Sequence, residues 1–227
     1  AVAKNTLLLL ISQSGETADT LAVLRKAKES NLYIGVLSIC NVERSTLVHE
    51  SDWVCLTEAG PEYGVASTKA FTTQLIVLSV LSRLNKDSVK GLQIIPNLVE
   101  QLFKENSDVN IIKNIAREVY EYENMLFLGR GELYPIAQEG ALKLKEISYI
   151  HAEAYAGGEL KHGPLALVDS HVPVVVLVNK YSHPEKICSN IQEVQARGGR
   201  VIVFTNDTDI NSKINLEEHD RVIYLPD

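Results

Sequence analysis

The stretch Asn5–Thr17, NTLLLLISQSGET, decides the fold class. Its apolar run has the length of one strand, which predicts a parallel-sheet strand buried on both faces. The small and polar residues Ser12–Thr17 follow, and Ala18–Ser30 then has a helical composition. A strand that passes through a Ser/Gly/Thr turn into a helix is typical of α/β proteins and presents unpaired helix N–H groups to an anion.

The turn Ser12–Thr17 has two interpretations. Simple capping of the helix by Ser14 or Thr17 would need one hydroxyl group. A phosphate site would use the free helix N–H groups together with several side-chain donors. Six consecutive small or polar residues exceed the need for a cap. We therefore predict that a phosphate group is bound by Ser12, Gln13, Ser14 and Thr17.

Strand-like and helical segments alternate along the rest of the chain. Strands are predicted at Tyr33–Cys40, Trp53–Leu56, Met125–Gly129, Val172–Val178, Arg200–Thr205 and Arg221–Leu225. Helices are predicted at Val65–Leu84, Asp87–Glu105, Asp108–Glu123, Tyr134–Ile150 and Pro184–Ala196. This alternation predicts doubly wound parallel sheets with helices on both faces.

The chain also repeats itself. The segments NTLLLLI, YIGVLSICN and SDWVCL match VPVVVLV, GRVIVFTN and HDRVIYL, so that Asn41 recurs as Asn206 and Asp52 as Asp220. Two tandem copies of one α/β unit explain the match. We expect a first unit at 1–86, connecting helices at 87–123 and a second unit at 124–227.

The two copies differ at their ends and in their polar residues. The first has no counterpart of the strand and helix that precede VPVVVLV, and the second stops before a counterpart of the Val65–Leu84 helix. We therefore expect a fragment, in which each unit is incomplete at one end. Where the first copy has ISQSGET, the second has LVNKYSHPE, which contains no glycine. This difference predicts phosphate binding in the first copy and one composite site built from both.

A second polar stretch, Pro135–Pro164, is dense in charged residues. On its predicted helix, Glu139, Lys143 and Glu146 share one face, beside an apolar face. The apolar face comprises Ala137, Ala141, Leu144 and Ile147. An acid, a base and an acid beside apolar neighbours can be partly desolvated, which shifts their pKa values.

The end of the same stretch carries His162. Gly157-Gly158 and Gly163-Pro164 interrupt the chain on either side of it, which predicts an exposed loop. The alternative for the whole stretch is an ordinary ion pair on a solvated helix face, followed by a loop that holds a histidine. Two interpretations of Lys69 are equally supported by the sequence. It is either a site residue or a structural partner of Glu62.

Three segments carry a resemblance to a known family. They are SQSGET at Ser12–Thr17, GVASTKAFTTQ at Gly64–Gln74 and EGALKLKEISYIHAEAYAGGELKHGPLAL at Glu139–Leu167. Together they resemble the sugar-isomerase (SIS) half of the glutamine–fructose-6-phosphate aminotransferases (isomerising), or glucosamine-6-phosphate synthases. SQSGET alone indicates a phosphosugar-binding SIS domain, and the third segment is more specific. This chain departs from the family pattern at Tyr63, at Gln138 and at Gly157, where Ala is usual.

The resemblance implies a fold and an activity. The fold would be two SIS-type, flavodoxin-like units, and the full-length enzyme would convert fructose 6-phosphate and glutamine-derived ammonia to glucosamine 6-phosphate. Glucose 6-phosphate would also bind. The resemblance further implies a homodimer and a glutamine amidotransferase domain outside this chain. A lysine that forms a Schiff base with the sugar has no counterpart here, so the chain alone is expected to be inactive.

The family's site roles can be carried over to matching residues. Ketose–aldose isomerisation needs a base that moves a proton between C1 and C2, for which Glu146 is the candidate, with Lys143 and Glu139 beside it. It also needs an acid/base for ring opening, and His162 suits that role because histidine titrates near neutral pH. The resemblance implies that His162 acts in the neighbouring subunit's site and that Val65 and Ser67 line the sugar pocket.

The composition argues against several other classes of protein. The chain has 227 residues, 45% of them hydrophobic, and a net charge of −7 without a Lys/Arg block, so nucleic-acid binding is not expected. No apolar run approaches the roughly 20 residues of a membrane helix. Cys40, Cys55 and Cys188 are scattered, which predicts reduced core residues in a cytoplasmic protein. The six histidines show no ligand-like spacing, and neither a metal nor a cofactor is predicted.

Two other functions fit part of the pattern. SQSGET would suit a phosphosugar-sensing binding module equally well. Such a sensor has no need of Glu139, Lys143, Glu146 and His162 together, and no pair of DNA-binding helices is evident. Another SIS enzyme, such as a fructosamine-phosphate deglycase or a sugar-phosphate isomerase, would need similar residues. The long third segment favours the aminotransferase.

Overall fold

A computed structural model describes residues 2–3, 5–82, 89–104, 106–182 and 184–226. The chain forms two compact units, Ala1–Ile94 and Ile95–Asp227. The predicted boundary at residue 86 lies outside the described residues, as do parts of the predicted Val65–Leu84 and Asp87–Glu105 helices. The division into 1–86, 87–123 and 124–227 stays a prediction.

The first unit is a small parallel sheet with helices. Its strands are hydrogen-bonded in the order β1-β2-β3, all parallel. Its elements are β1 (Thr6–Ser12), α1 (Ala18–Ser30), β2 (Tyr33–Cys40), α2 (Thr46–Glu50), β3 (Trp53–Leu56) and α3 (Lys69–Ser82). Helix α3 begins later than the predicted Val65, because the Glu62 carboxylate binds the N–H groups of Thr68 and Ala70 and sets the start of the helix.

The buried cluster of the first unit joins β1 to helices α1 and α2. Leu10 of β1, Leu24 of α1 and Leu47 of α2 belong to one buried cluster. The alternate residues of β1 are 42%, 39% and 42% exposed at Leu7, Leu9 and Ile11. The prediction that this strand is buried on both faces is therefore wrong, because successive strand residues point to opposite faces and the described helices α1 and α2 pack against one of them.

The second unit is a larger parallel sheet. Its strands lie in the order β5-β4-β6-β7-β8, all parallel. The helices before the sheet are α4 (Ile95–Lys104), which follows a 3₁₀ turn at Gly91–Ile94, and α5 (Asn106–Val119). The elements that follow are β4 (Asn124–Gly129), α6 (Leu133–Ser148), β5 (His151–Ala156), the 3₁₀ turns Gly157–His162 and Pro164–Leu167, β6 (Val174–Val178), α7 (Pro184–Gln195), β7 (Val201–Thr205), α8 (Ile210–Lys213) and β8 (Arg221–Tyr224).

The second sheet buries both of its faces. Val174 and Val176 of β6 lie in a cluster with Ile191 of α7. Val175, between them, lies in a separate cluster with Ile115 of α5. Continuous apolar strands such as Val174–Val178 are what a parallel sheet covered by helices on both sides requires.

Strand β5 was not predicted from the sequence, where no strand was assigned between Ile150 and Val172. Its residues His151–Ala156 pair with β4 along its whole length at one edge of the sheet. The alternation His-Ala-Glu-Ala-Tyr-Ala has the period of a half-exposed strand. Alanine and glutamate are weak strand formers, so this edge strand depends on its pairing with β4.

The repeat is visible in hydrogen bonds as well as in strand order. Asp52 Oδ2 accepts the Val36 N–H group at 2.8 Å, and Asp220 Oδ1 accepts the Val201 N–H group at 2.8 Å. Each aspartate directly precedes the last strand of its sheet and accepts a backbone N–H group of the strand beside it, Val36 within β2 and Val201 at the start of β7. The β1-β2-β3 order of the first unit thus recurs as β6-β7-β8, and the second unit has β4 and β5 in addition.

Candidate functional site

The loop after β1 is folded tightly around Gly15. The Ser12 hydroxyl accepts the Gly15 N–H group at 2.9 Å, and the Ser14 hydroxyl accepts the Glu16 N–H group at 3.2 Å. Gly15 has φ +71°, a left-handed conformation that favours glycine. A Cβ atom at this position would lie 2.1 Å from Ser45 Oγ. The glycine is therefore required both by backbone geometry and by space.

Glu16 ties this loop to helix α2. Its carboxylate accepts the Thr46 N–H group at 2.7 Å, and the Gly15 carbonyl accepts the Leu47 N–H group at 3.0 Å. The hydrogen bond from the Thr46 backbone lowers the pKa of Glu16, because the bond stabilises the charged carboxylate. The loop is thus held from two sides, and Gln13 joins it through its carbonyl, which accepts the Asn41 N–H group at 3.3 Å.

The start of helix α1 is open to a ligand. Thr17 stands at the N-cap position, with φ −64° and ψ 119°, and its side chain makes no capping hydrogen bond to a described residue. The Ser14 hydroxyl binds the N–H group of Glu16, which precedes the helix. The alternative of simple capping by Ser14 or Thr17 therefore does not describe this helix. Its unpaired N–H groups, together with the positive end of the helix dipole, suit an anion.

The segment before α3 holds Val65 and Ser67. Glu62 accepts the Ser67 hydroxyl at 3.2 Å and the Ala70 N–H group at 2.9 Å, and the latter bond lowers the pKa of Glu62. Lys69 also lowers this pKa through its charge, which supports the structural interpretation of Lys69 without excluding the other. Val65 is 97% exposed, so its side chain is free to contact a ligand.

Helix α6 brings the predicted acid–base–acid row together. Lys143 Nζ lies 2.6 Å from Glu146 Oε2 and 3.6 Å from Glu139 Oε1. The side chains of Lys143 and Glu139 are 22% and 24% exposed. The hydrogen bond to Glu146 raises the pKa of Lys143, with a further contribution from the charge of Glu139. Lys143 is thus held in its charged form between two carboxylates.

One residue of the predicted apolar face of α6 is exposed. Ala137 and Ala141 are buried, as the apolar face requires, but Ile147 is 67% exposed. Ile147 lies in the last turn of the helix, beyond the contact with the sheet. Glu146, in the same turn, is the most exposed member of the charged row at 35%. Its carboxylate can therefore reach a bound molecule.

His162 lies on the 3₁₀ turn Gly157–His162. Its side chain is 72% exposed, and its Nδ1 atom lies 3.1 Å from Glu159 Oε2. The prediction of an exposed, loop-borne histidine is confirmed in this respect. The structure pairs it with Glu159, which we did not assign to the site. The sequence signal for this pair was the spacing of three residues between Glu159 and His162, which brings two side chains together in a 3₁₀ turn.

A polar cavity between α6 and β5 was also not predicted from the sequence. It has a volume of about 380 Å³ and is lined by Gln138, Lys145 and Glu153 among others. Glu153 accepts the Tyr155 hydroxyl at 2.5 Å, which lowers the pKa of Glu153 and raises that of Tyr155. The period-two pattern of β5 would have placed Glu153 and Tyr155 on one face.

Metal clusters and membrane-spanning helices are both absent from the described residues. No group of three His, Cys, Asp or Glu side chains in those ranges is placed to hold a metal ion. None of the described helices combines the length and apolar character that crossing a bilayer requires. The three cysteines are free thiols, with Cys40 and Cys188 buried and Cys55 half-buried.

The profile of the SIS domain family matches residues 1–83 and 118–225. The chain belongs to the SIS domain family. The two matched segments contain every residue that we assigned to the site from the sequence. The first contains the loop after β1 and the segment before α3, and the second contains the α6 row and the His162 turn. Both sheets are therefore SIS sheets, and their strand order is the shared part of the repeat.

Relatives of this SIS chain carry a common name. It is 52% identical over its whole length to the glutamine–fructose-6-phosphate aminotransferase (isomerizing) of Pectobacterium atrosepticum and spans 38% of that protein. It is 55% identical over 91% of its length to the aminotransferase of the same name from Escherichia coli K12, of which it spans 35%. The chain thus spans little more than a third of these relatives.

A solved structure gives the same fold. The C-terminal domain of glucosamine-fructose-6-phosphate aminotransferase from Francisella tularensis superposes with a TM-score of 0.87, at 47% identity. The superposition covers 97% of this SIS chain and 63% of the Francisella chain. The predicted fold class, with two parallel sheets of the SIS type, is confirmed.

Proposed function

We propose that this chain is the phosphosugar isomerase part of a glutamine–fructose-6-phosphate aminotransferase, which makes glucosamine 6-phosphate from fructose 6-phosphate and glutamine-derived ammonia. One observation carries the proposal: this SIS chain is 52–55% identical to two aminotransferases of that name over nearly its whole length. The loop after β1 and the charged row of α6 lie within the SIS match.

The geometry supports a division of roles. The open start of α1, with Ser12, Gln13, Ser14 and Thr17, would hold the sugar phosphate, since helix N–H groups and hydroxyls are donors for phosphate oxygens. Val65 and Ser67 would line the sugar pocket.

The charged side chains of the second unit would act on the sugar itself. Glu146 would move the proton between C1 and C2 as a general base. Lys143 and Glu139 would set the charge around Glu146, and His162 would assist ring opening.

The proposal extends to the whole protein. Ammonia would come from a glutamine amidotransferase domain, and the product would enter hexosamine biosynthesis in the cytoplasm. Glucosamine 6-phosphate would bind the same site as the product of the full reaction. Glucose 6-phosphate would bind there as the product of isomerisation. The working form would be a homodimer. The chain by itself would bind sugar phosphates without turning them over.

A ligand panel tests the binding part. Calorimetric titration of this chain with fructose 6-phosphate, glucosamine 6-phosphate and glucose 6-phosphate should show binding, whereas unphosphorylated fructose should bind poorly. Thr17→Ala should weaken binding of fructose 6-phosphate by about 1–3 kcal/mol, the range for a hydrogen bond to a charged group. Thr20→Ala, one turn further along α1, should not. Equal affinity for phosphorylated and unphosphorylated sugar would contradict the proposal.

A chimera tests the activity. This chain would replace the matching segment of the Escherichia coli relative, and formation of glucosamine 6-phosphate would be measured with glutamine and fructose 6-phosphate. We expect turnover within about tenfold of the unmodified relative, since most of the site residues would be supplied by this chain. A chimera that folds and binds glutamine but acts on fructosamine 6-phosphate or another sugar phosphate instead would favour a different SIS enzyme.

A further inference from the structure

The turn that carries His162 is anchored in the core at Leu160. Leu160 is fully buried and packs in the cluster that contains Ile191 of α7. The residues on either side of it, Glu159 and Lys161, are 65% and 62% exposed, and His162 is 72% exposed. Glycines flank the turn, at Gly157-Gly158 and Gly163, and glycine gives the backbone more freedom than any other residue. Gly157, at the start of the turn, is buried as well. Without a further anchor, the end of the turn that carries Lys161 and His162 would be free to pivot about Leu160.

A second anchor joins the turn to helix α7. Lys161 Nζ lies 2.9 Å from Glu193 Oε1, and the Glu193 side chain is 18% exposed. Ion pairs that are partly withdrawn from water are screened less by salt than exposed ones. Lys161 is the residue directly before His162. Together with Leu160, this contact fixes the turn at two points, which removes the pivot.

Glu193 is itself held in place. Asn190 Nδ2 donates to Glu193 Oε2 at 3.3 Å, and the Ser189 hydroxyl donates to Glu193 Oε1 at 3.3 Å. The carboxylate that meets Lys161 therefore has a fixed position on α7.

Asn190 also touches the start of the turn. It is 5% exposed, and a Cβ atom at Gly157 would lie 2.7 Å from Asn190 Oδ1. This oxygen is buried and has no hydrogen-bond partner among the described residues. Asn190 thus lies against both Glu193 and the start of the turn.

We propose that Glu193, seated by Asn190, is a positioning residue for His162. It holds Lys161 and thereby fixes the direction in which the exposed imidazole leaves the turn. The inference rests on the proposed function, since it gives His162 a task in ring opening. Neither Glu193 nor Asn190 needs to touch the sugar. Both act through the turn.

The test reverses the charges of the pair in this chain. Glu193→Gln and Lys161→Glu each remove the ion pair, and the double variant Lys161→Glu/Glu193→Lys restores it with opposite polarity. Asn190 can serve either polarity, because its amide offers both a donor and an acceptor. Lys186→Gln, a charge change at an exposed position of the same helix, is the control. Hydrogen exchange of the amides of residues 160–163 and relaxation of the His162 ring carbons would be measured by NMR, without sugar phosphate.

Both single variants should exchange these amides roughly 3- to 10-fold faster, the size expected for one partly buried ion pair. They should also lower the order parameter of the His162 ring on the nanosecond scale. The double variant should return both values to those of the unchanged chain, while the melting temperature stays the same throughout. A merely stabilising ion pair would move the melting temperature and leave the ring unaffected.

Two results would overturn the inference. In the first, amide exchange in the turn and the order parameter of the His162 ring are unchanged in both single variants. In the second, the double variant is no closer to the unchanged chain in these two measurements than either single variant. Titration with fructose 6-phosphate is a separate measurement. If the unchanged chain fails to bind that sugar phosphate while the NMR results are as expected, the proposed function fails and the positioning of His162 by Glu193 stands.

Discussion

Gly15 shows how one residue decides the shape of the loop after β1. Its left-handed backbone turns the chain from β1 towards α1. Its missing side chain leaves room for Ser45 and Cys40, whose atoms would lie 2.1 Å and 2.9 Å from a Cβ atom. The loop can therefore pack directly on the residues that lead into α2.

Gly15→Ala should destabilise the first unit more than a substitution at an equally left-handed glycine. Gly60 is the matched control, because its φ is +72° against +71° and the nearest atom to its Cβ position is Lys69 Nζ at 3.8 Å. Gly60→Ala should cost about 1–2 kcal/mol of unfolding free energy from backbone strain. Gly15→Ala should cost about 1–3 kcal/mol more from overcrowding. Urea unfolding followed by hydrogen exchange in the first sheet would measure both. Equal losses would show that the Ser45 side chain gives way.

Glu16 makes the stability of the same loop depend on pH. Its folded pKa is lowered below the ordinary value of 4.5 by the Thr46 N–H group. The stabilisation is therefore fully present above about pH 4.5 and is lost as pH falls through the lowered folded pKa.

The difference in melting temperature between the unchanged chain and Glu16→Gln should follow this titration. It should be largest near pH 7 and shrink as the pH falls below about 4.5 and through the lowered folded pKa of Glu16, as thermal melting at decreasing pH would show. Glu43→Gln, which changes an exposed carboxyl group without a hydrogen bond to a described residue, is the control and should leave the melting temperature at pH 7 nearly unchanged. A Glu16→Gln difference independent of pH would contradict the assignment.

Helix α6 concentrates the proposed chemistry on one face. Its small residues Ala137 and Ala141 are 0% and 2% exposed, which brings the helix close to the sheet. Its charged row then runs along the half-exposed side, from Glu139 to Glu146. The short contact of Lys143 is with Glu146 at 2.6 Å, and the longer one is with Glu139 at 3.6 Å. The two carboxylates are thus unequal partners of the same lysine.

Glu146→Gln and Glu139→Gln should separate these carboxylates. In the chimera, Glu146→Gln should leave binding of fructose 6-phosphate nearly intact and reduce kcat by ~10²–10⁴, the usual contribution of a general base. Glu139→Gln makes the same chemical change about two helical turns away on the same face and should reduce kcat by less than about tenfold. Steady-state kinetics of both variants would distinguish the roles of the two carboxylates. Near-normal turnover in Glu146→Gln would reassign that residue to a structural ion pair.

Most of the strands and helices could be predicted from the sequence. Strand β2 and helix α1 begin and end where the pattern predicts, because their apolar periods and flanking turns are strong. The match of Asp52 with Asp220 predicted a repeat, and the two hydrogen bonds give its physical basis. Strand β5 was missed, since its alanine-rich alternation has little strand propensity of its own.

Burial was harder to predict than secondary structure. The run Leu7–Ile11 looks like a strand with two covered faces, yet one face is about 40% exposed. The sequence of a strand does not reveal which helices pack on it. In the same way, the contact of Glu193 with Lys161 joins residues far apart in the chain, and no local pattern predicts it.

At the scale of the whole molecule, the two sheets differ in their free edges. Among the described strands, β1 pairs with β2 alone, whereas its counterpart β6 pairs with both β4 and β7. Unpaired strand edges with exposed apolar side chains favour association. The isolated chain should therefore self-associate through β1 with a second copy of itself.

Analytical ultracentrifugation across concentration would measure this association. Leu9→Lys places a charge in the exposed face of β1 and should lower the association constant by tenfold or more, since edge lysines oppose strand pairing. Val23→Lys, at another exposed apolar position on α1, is the control and should have little effect. A chain that is monomeric at about 100 μM, well above typical protein assay concentrations, would contradict the prediction.

The exposed face of β1, with Leu7, Leu9 and Ile11 about 40% exposed, sets an order of events on warming. Structure that buries fewer apolar side chains opens at a lower free energy. The loop after β1 belongs to the first sheet, whereas the charged row of α6 rests on the sheet that is covered on both sides. If the loop binds phosphate as proposed, moderate heat should abolish sugar-phosphate binding while the larger sheet keeps its circular dichroism signal. Cooling would restore binding without complete refolding.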